Sequence, residues 1–363
     1  MAETMRGVLF VGDGKVVVRD FPKPKPTGTQ VLVQLKAAAL CGSDMHAYRA
    51  SAEYWAENPI IRGHEPGGVV AEVGDAVTMV KVGDRVSVYH APSCGHCEAC
   101  ARGEYFNCVN LRVPEYHTTF SGRYSASGPA YRLSSTDGKV NGADADYVLA
   151  DQNVCFQLPD ELDFEDAAII ACAGGTAYHA LSRADVHAGE YVVVSGLGPV
   201  GLCVTLLARA MGGVVIGVDP AEYRRNLALK HGAVYVIDPT AEDMPAKVRE
   251  ITGGGAEVGI ETSGNDQARV TLPHATPYHA RIVYVGWGGR ANNAIYGPML
   301  GERWITGSNM FTAADYYELV RMMLRQKLHF SDLVTHRFPL EKAQEAFDLF
   351  DSRASGKVTF VWE

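Results

Sequence analysis

The stretch EYVVVSGLGPVGLCVTLLARAMGGVVIGVD, residues 190–219, limits the fold more than any other part of the chain. An apolar run leads into a glycine turn, a helix of small and apolar residues follows, and a second apolar run ends at Asp219. Strands apolar on both faces belong in a parallel sheet covered by helices on both sides. Gly196, Gly198 and Gly201 form G-x-G-x-x-G at the strand-to-helix junction, with Pro199 and Val200 inside the turn. The chain has 38 glycines, so the motif alone is weak, and its place between strand and helix is what makes it informative. In a dinucleotide-binding turn the first glycine makes the bend and the second lets a pyrophosphate approach. The third lets the helix pack close to the strand, and the helix N-terminus faces the phosphate charge. Asp219 lies 18 residues beyond Gly201, where it would accept hydrogen bonds from the adenosine ribose and repel a 2′-phosphate. That favours NAD over NADP. Arg224 and Arg225 follow closely and would flank the adenosine or approach a 2′-phosphate. The plainer alternative is an ordinary strand-to-helix turn with a surface aspartate.

Later segments extend the same sheet. GAEVGIETSG and ARIVYVGWGG read as strands, and Gly286 and Trp287 lie at the end of the second, where backbone often meets a nicotinamide. The first 150 residues differ in texture: VLVQLKAAAL, GGVVAEVG and RVSVYH are short β-type runs broken by Gly, Pro and Asp. GDAVTMVKVGDRV reads as a strand and a turn in quick succession, and the whole region as barrel-like or sandwich-like. Residues 111–142 are polar and glycine-rich, read as loops around a short hairpin that carries Arg112, Arg123 and Arg132. FEDAAIIACAGGTAYHALSRA has helical spacing, as do YYELVRMMLRQKL and LEKAQEAFDLF, and GKVTFVW reads as a closing strand. A chain of 363 residues with 47% hydrophobic composition suits two domains. Its net charge of −9 does not indicate a nucleic-acid surface. No apolar run approaches a membrane span, and the start MAETMRGVLFVGDGKVVV has no signal-peptide pattern, so a cytoplasmic location without a membrane partner is expected.

Half of the eight cysteines fall in CGHCEACARGEYFNC, with Cys94, Cys97, Cys100 and Cys108 at C-x2-C-x2-C-x7-C. Four thiolates suit a tetrahedral zinc site with no open position, which makes this a stabilising clamp and not a place of catalysis. An iron–sulfur cluster and disulfides are the alternatives. An open site requires other ligands. Cys41 in CGSDMH, His64 and Glu65 in RGHEPGG, and Cys172 in IACAGG are candidates, set too far apart for a local finger. Cysteine, histidine and cysteine would leave a fourth zinc position for water or an alcohol oxygen. Each of these residues taken alone also reads as an ordinary buried side chain.

Taken in order, these motifs resemble the zinc-containing medium-chain alcohol and polyol dehydrogenases. GHEPGGVVAEVGDAV, residues 63–77, fits that family's zinc signature G-H-E-x2-G-x5-G-x2-V. The resemblance implies an α/β chain with a GroES-like, β-rich catalytic domain at 1–155, a Rossmann NAD-binding domain at 156–308, and a segment at 309–363 that completes the first domain. It implies Cys41, His64 and Cys172 as ligands of a catalytic zinc and the four clustered cysteines as ligands of a structural one, two zincs per chain. Glu65 looks like the carboxylate that approaches the metal during ligand exchange, and Asp44 like the acid that orients His64. Many polyol dehydrogenases of the family have glutamate at the position of Cys172.

The same resemblance implies hydride transfer between an alcohol and the nicotinamide of NAD, with a proton leaving through Ser43 and His46. Ser43 also reads as a helix N-cap and His46 as a surface histidine. Lys357 is a candidate for the pyrophosphate, or a solvated lysine. Tyr89, Phe106, Tyr116, Trp287 and Trp304 read equally well as packing residues. A small alcohol or carbonyl is the expected partner, with a homodimer or homotetramer as the assembly. The rival readings are a zinc-free quinone or enoyl reductase and a non-enzymatic NAD-binding module.

Overall fold

The computed structural model describes residues 3–57, 61–91, 93–112, 142–288 and 301–363. The predicted hairpin and loops at 113–141, with Tyr116, Arg123 and Arg132, lie outside the described residues. The chain forms two compact units, one of Met1–Cys172, Phe311–Ser352 and Lys357–Glu363, the other of Ala173–Met310 and Arg353–Gly356.

The first unit begins with an antiparallel hairpin, β1 (Thr4–Gly12) and β2 (Lys15–Pro22). β3 (Gln30–Ala39), β4 (Pro66–Val73), β5 (Arg85–Val88), β6 (Tyr147–Asp151) and β7 (Cys155–Gln157) follow. β3, β4, β5 and β7 are successive antiparallel neighbours, and β6 pairs with β3. Val31, Leu32, Val33 and Leu35 are all fully buried, as expected of a central strand covered on both faces. GDAVTMVKVGDRV contains no strand between β4 and β5. Asp84 accepts from the Lys81 amide at 3.0 Å and closes the segment into a turn.

The second unit holds β8 (Tyr191–Ser195), β9 (Val214–Val218), β10 (Ala233–Ile237), β11 (Val258–Glu261), β12 (Arg281–Tyr284) and β13 (Trp304–Gly307). They form a parallel sheet in the order β10-β9-β8-β11-β12-β13, a doubly wound arrangement with a switch point beside β8. Val193, Ile216, Ile282, Val248 and Leu272 are fully buried or nearly so and form its core. The segment RWITGSNM thus contributes the last strand of this sheet before the chain returns to the first unit.

There β14 (Val334–Phe338) and β15 (Lys357–Val361) pair in parallel, and β15 adds to β3, which completes a seven-stranded sheet among the described residues. The helix Phe164–Ile169 packs on β3, β4 and β5, so residues up to Cys172 stay with the first unit. Phe10, Tyr48, Trp55 and Phe347 form an aromatic core, with Phe10 and Phe347 ring centroids 5.0 Å apart. Each such ring contributes about 1.5–3 kcal/mol by burial. Among the described residues no helix is long and apolar enough to cross a membrane.

Candidate metal centres and nucleotide site

The clustered cysteines come together on a short loop. Cys97 precedes the helix Glu98–Ala101, which carries Cys100, and Cys108 follows a 3-10 turn. The Cys94–Cys100, Cys97–Cys100 and Cys97–Cys108 sulfurs are 3.8, 3.5 and 3.9 Å apart, and none of these cysteines forms a disulfide. A zinc tetrahedron with sulfurs at about 2.3 Å has edges of about 3.8 Å, so the spacing fits the metal without rearrangement. The Cys94 amide donates to the Cys108 sulfur and the Cys97 amide to the Cys94 sulfur, each at 3.4 Å, which favours thiolates. A backbone hydrogen bond from Cys100 leads in pulling Cys97 down to about 6, whereas burial pushes Cys100 up. The lobe is tied down where Ala313 N donates to Gly103 O at 2.9 Å.

The second cluster is built from strand ends. Ala38 of β3 faces Pro66 of β4, so Cys41, just past β3, comes beside His64 and Glu65, just before β4. Cys172 arrives on the π-helical turn Ile170–Gly174. One ligand atom from each of Cys41, His64, Glu65 and Cys172 lies within 4.8 Å of all the others. Asp44 is fully buried; its Oδ2 accepts from Cys41 N at 3.0 Å and its Oδ1 lies 3.1 Å from His64 Nδ1. That leaves His64 Nε2 to face the sulfurs, the orientation a carboxylate imposes on a metal-binding histidine. Gly63 has φ +85°, and a Cβ there would strike Asp144 Oδ1 at 2.3 Å, so the turn before His64 accepts only glycine.

The charges of this cluster depend on one another. A hydrogen bond from Cys172 lowers the Cys41 pKa well below the ordinary thiol value, and the same bond raises that of Cys172. Burial opposes charge on His64, but Asp44 and Cys41 outweigh it and raise its pKa. Burial pushes Glu65 up to about 8 against the pull of Lys357. Lys357 Nζ donates to Leu40 O at 2.8 Å and pairs with Glu65, both groups being almost fully buried. Glu65 Oε1 is buried without a hydrogen-bond partner among the described residues. Two sulfurs, an imidazole and an orphaned carboxylate oxygen are a donor set that zinc fits.

Ser43 Oγ lies 3.4 Å from His64 Nε2, and Ser43 makes no capping bond to the helix Asp44–Tyr48 that it precedes. His46 is exposed on that helix. A third group, Asp163, Asp166 and His329, is close enough to hold an ion. Asp163 and Asp166 form a capping box for the helix Phe164–Ile169, and Asp166 also binds His329 and the Ser331 amide.

In the second unit β8 ends at the glycine turn. Gly198 is the extended N-cap of the helix Pro199–Ala210, with Pro199 in its first turn. A Cβ on Gly201 would meet Gly196 O at 1.9 Å, the close helix-to-strand approach expected of the third glycine. A Cβ on Gly198 would meet only Arg224, at 3.8 Å, which leaves a cradle over the helix N-terminus that a dinucleotide fits. Asp219 is buried after β9, accepting from Leu197 N and Ala221 N, each at 2.8 Å. Burial lowers the Arg224 pKa against the attraction of Asp219. Arg225 is held by the carbonyls of Asp219 and Pro220, each at 2.8 Å, and by Asp238 at 3.1 Å.

Comparison with known proteins follows this division. Residues 27–160 match the alcohol dehydrogenase GroES-like domain family and residues 199–325 the zinc-binding dehydrogenase family. The chain is 33% identical, over 98% of both chains, to YphC of Escherichia coli (strain K12), an uncharacterized zinc-type alcohol dehydrogenase-like protein. The chain belongs to the zinc-binding, medium-chain alcohol dehydrogenase family. It is an enzyme, an oxidoreductase. It is also 33% identical to the L-threonine 3-dehydrogenase of Pyrococcus furiosus, over 96% of this chain and 94% of that one. The benzyl alcohol dehydrogenase structure from Acinetobacter calcoaceticus shares the fold, with a TM-score of 0.84 at 24% identity over 99% of this chain and 100% of that one.

Within this dehydrogenase the structure brings Cys41, His64, Glu65, Cys172 and Asp44 together, with Ser43 beside His64. In place of the pyrophosphate contact expected of Lys357, it gives a counter-charge to Glu65, because a bare carboxylate at that depth is strongly disfavoured. Trp287 is 47% exposed and Trp304 75%, so neither is core; Tyr89 is, its hydroxyl donating to Phe311 O at 3.0 Å. Sequence reasoning missed three participants. His90 is buried with its ring centroid 5.2 Å from that of His64, and burial pushes it down to about 3. The π turn at Cys172 has no composition signal. Glu261, fully buried, accepts from Ser263 N and Gly264 N at 2.7 and 2.9 Å, and pairs with Arg269, whose guanidinium also holds the Gly286 carbonyl. An acid at the end of a parallel strand was the available clue to Glu261.

Proposed function

We propose that this dehydrogenase oxidises an alcohol or polyol to the carbonyl compound with NAD, and runs the reverse reaction, using a zinc on Cys41, His64 and Cys172. A second zinc on Cys94, Cys97, Cys100 and Cys108 has a structural role. The observation that carries the reading is the buried set of two sulfurs and an imidazole, oriented by Asp44 and joined by a carboxylate without a hydrogen-bond partner on one oxygen. Zinc, when bound there, supplies a Lewis acid that makes an alcohol easier to deprotonate. NAD, when bound, supplies the hydride acceptor.

The chain's own residues do the rest. Asp44 keeps the proton on His64 Nδ1. Ser43 Oγ takes the alcohol proton as its own hydroxyl proton moves on toward His46, which releases it to solvent. Glu65, held by Lys357, is the carboxylate available during ligand exchange. Asp219 receives the adenosine ribose, Arg224 flanks it, and the turn Gly196–Gly201 and Gly286 present backbone to the dinucleotide.

Small secondary alcohols with a neighbouring amine or hydroxyl are the first substrates to test, given the likeness to a threonine 3-dehydrogenase. A homodimer or homotetramer in the cytoplasm is the accompanying expectation, open to light scattering and cell fractionation. The zinc-loaded enzyme, screened with NAD over alcohols, polyols and amino alcohols, is expected to reduce the cofactor with at least one class. No turnover in either direction across that panel overturns the proposal.

A further inference from the structure

The helix that delivers Cys172 changes register just before it. Phe164–Ile169 is α-helical and Ile170–Gly174 is a π turn. Such a turn displaces the ordinary hydrogen-bond ladder, so its shape depends on what else bonds its carbonyls. Two side chains do so, one of them in addition to the bond that Ala167 O accepts from Ile170 N. Ser87 Oγ donates to Ala167 O at 2.7 Å, and His90 Nδ1 meets Ala171 O at 2.8 Å, with all four residues buried. A carbonyl only accepts, so His90 Nδ1 carries the proton. The two acceptors are one helical turn apart, and the two donors sit on a fixed segment. Ser87 pairs with Gly67 and Phe156, and Tyr89 N donates to Val154 O at 2.9 Å. Ala171 is the residue next to Cys172.

We infer that His90 is a positioning residue for Cys172: its Nδ1–H holds the Ala171 carbonyl and thereby the π turn that presents the Cys172 sulfur to the metal. Ser87 anchors the turn before it. His90 acts through Cys172, and the inference rests on the reading of Cys172 as a ligand.

Leucine and asparagine have the same shape, and only asparagine can donate from the place of Nδ1. His90→Leu is expected to weaken metal binding at the open site about 10- to 100-fold in chelator competition, and His90→Asn to stay within about 3-fold of wild type. With cobalt exchanged into the open site, the thiolate-to-metal absorption band is expected to change in His90→Leu and to be kept in His90→Asn. The cysteine-cluster metal serves as the internal standard of folding. Wild-type affinity and spectrum in His90→Leu, or equal loss in both variants, overturns the inference. The tautomer is tested on the wild-type protein, whatever the variants do: nitrogen NMR is expected to show a protonated Nδ1, and an unprotonated one overturns the inference. Cys172→Ser is measured alongside. If it keeps the open-site metal, the ligand assignment fails; if it loses the metal while His90→Leu does not, only the role of His90 fails.

Discussion

Lys357→Met isolates one interaction that the structure makes costly to break. The ammonium is 1% exposed and the Glu65 carboxylate 0% exposed, and the two are paired. Removing one partner of a buried pair leaves the other either uncompensated or forced to change its protonation, a loss of up to about 3–5 kcal/mol. Replacing both by neutral groups of similar size removes the charge problem as well, so Glu65→Gln with Lys357→Met should be far less damaging than the sum of the single changes. For a unit of this size the single change corresponds to a fall in Tm of about 6–20 °C. The assay is urea and thermal unfolding of the zinc-loaded protein for wild type, both single variants and the double variant. The two units need not unfold together, so the transition is followed through Trp55 and Trp362, which both lie in the first unit, in a background with Trp287→Phe and Trp304→Phe. A coupling of about 2 kcal/mol or more is expected for groups in contact. A Lys357→Met protein within about 1 kcal/mol of wild type, or a strictly additive cycle, refutes the reasoning.

Cys108→Ser should remove the cysteine-cluster zinc, lower thermal stability and leave the open-site zinc in place; metal analysis with a melting curve reads both. Asp146 is bound by Arg6 and by Trp362 Nε1, and these bonds hold its pKa below the ordinary value although burial opposes them. The stability it contributes is therefore present above the unfolded pKa of about 3.9 and lost as pH falls through the lower folded value. Asp146→Asn should cost about 1–3 kcal/mol at neutral pH and flatten the acid limb of a stability-versus-pH curve. Asp219→Ala should raise KM for NAD and narrow the preference over NADP by about 10-fold or more, since the ribose acceptor and the repelling charge go together. Steady-state kinetics with both cofactors checks it.

The second unit was the more legible half. β8 and β9 carry unbroken apolar runs, and YVVVS followed by Gly196 and Gly198 carries its own context, so strand, turn and helix could be placed from local pattern, whereas β10 and the edge strand β13 were not read as part of this sheet. The four-cysteine cluster was equally local, with ligands spanning only Cys94 to Cys108. The open site was legible only in part. Cys41, His64 and Cys172 came from motif resemblance, and what assembles them is the register of β3 against β4, a long-range property. The partners that tune the site were hidden for the same reason. Lys357 reaches Leu40 across more than three hundred residues, and His90 reaches Ala171 from the loop that follows β5. The segment GDAVTMVKVGDRV was misread because alternating apolar residues mimic a strand where turn bonds at Asp84 prevail.

The most direct test of the account is zinc content and NAD-linked turnover measured on the same samples of wild type and Cys41→Ser. The account predicts about two zincs per chain and turnover in the wild type. It predicts about one zinc, retained by the cysteine cluster, and no turnover in the variant. A Cys41→Ser enzyme that keeps full activity, or that keeps both zincs, contradicts it.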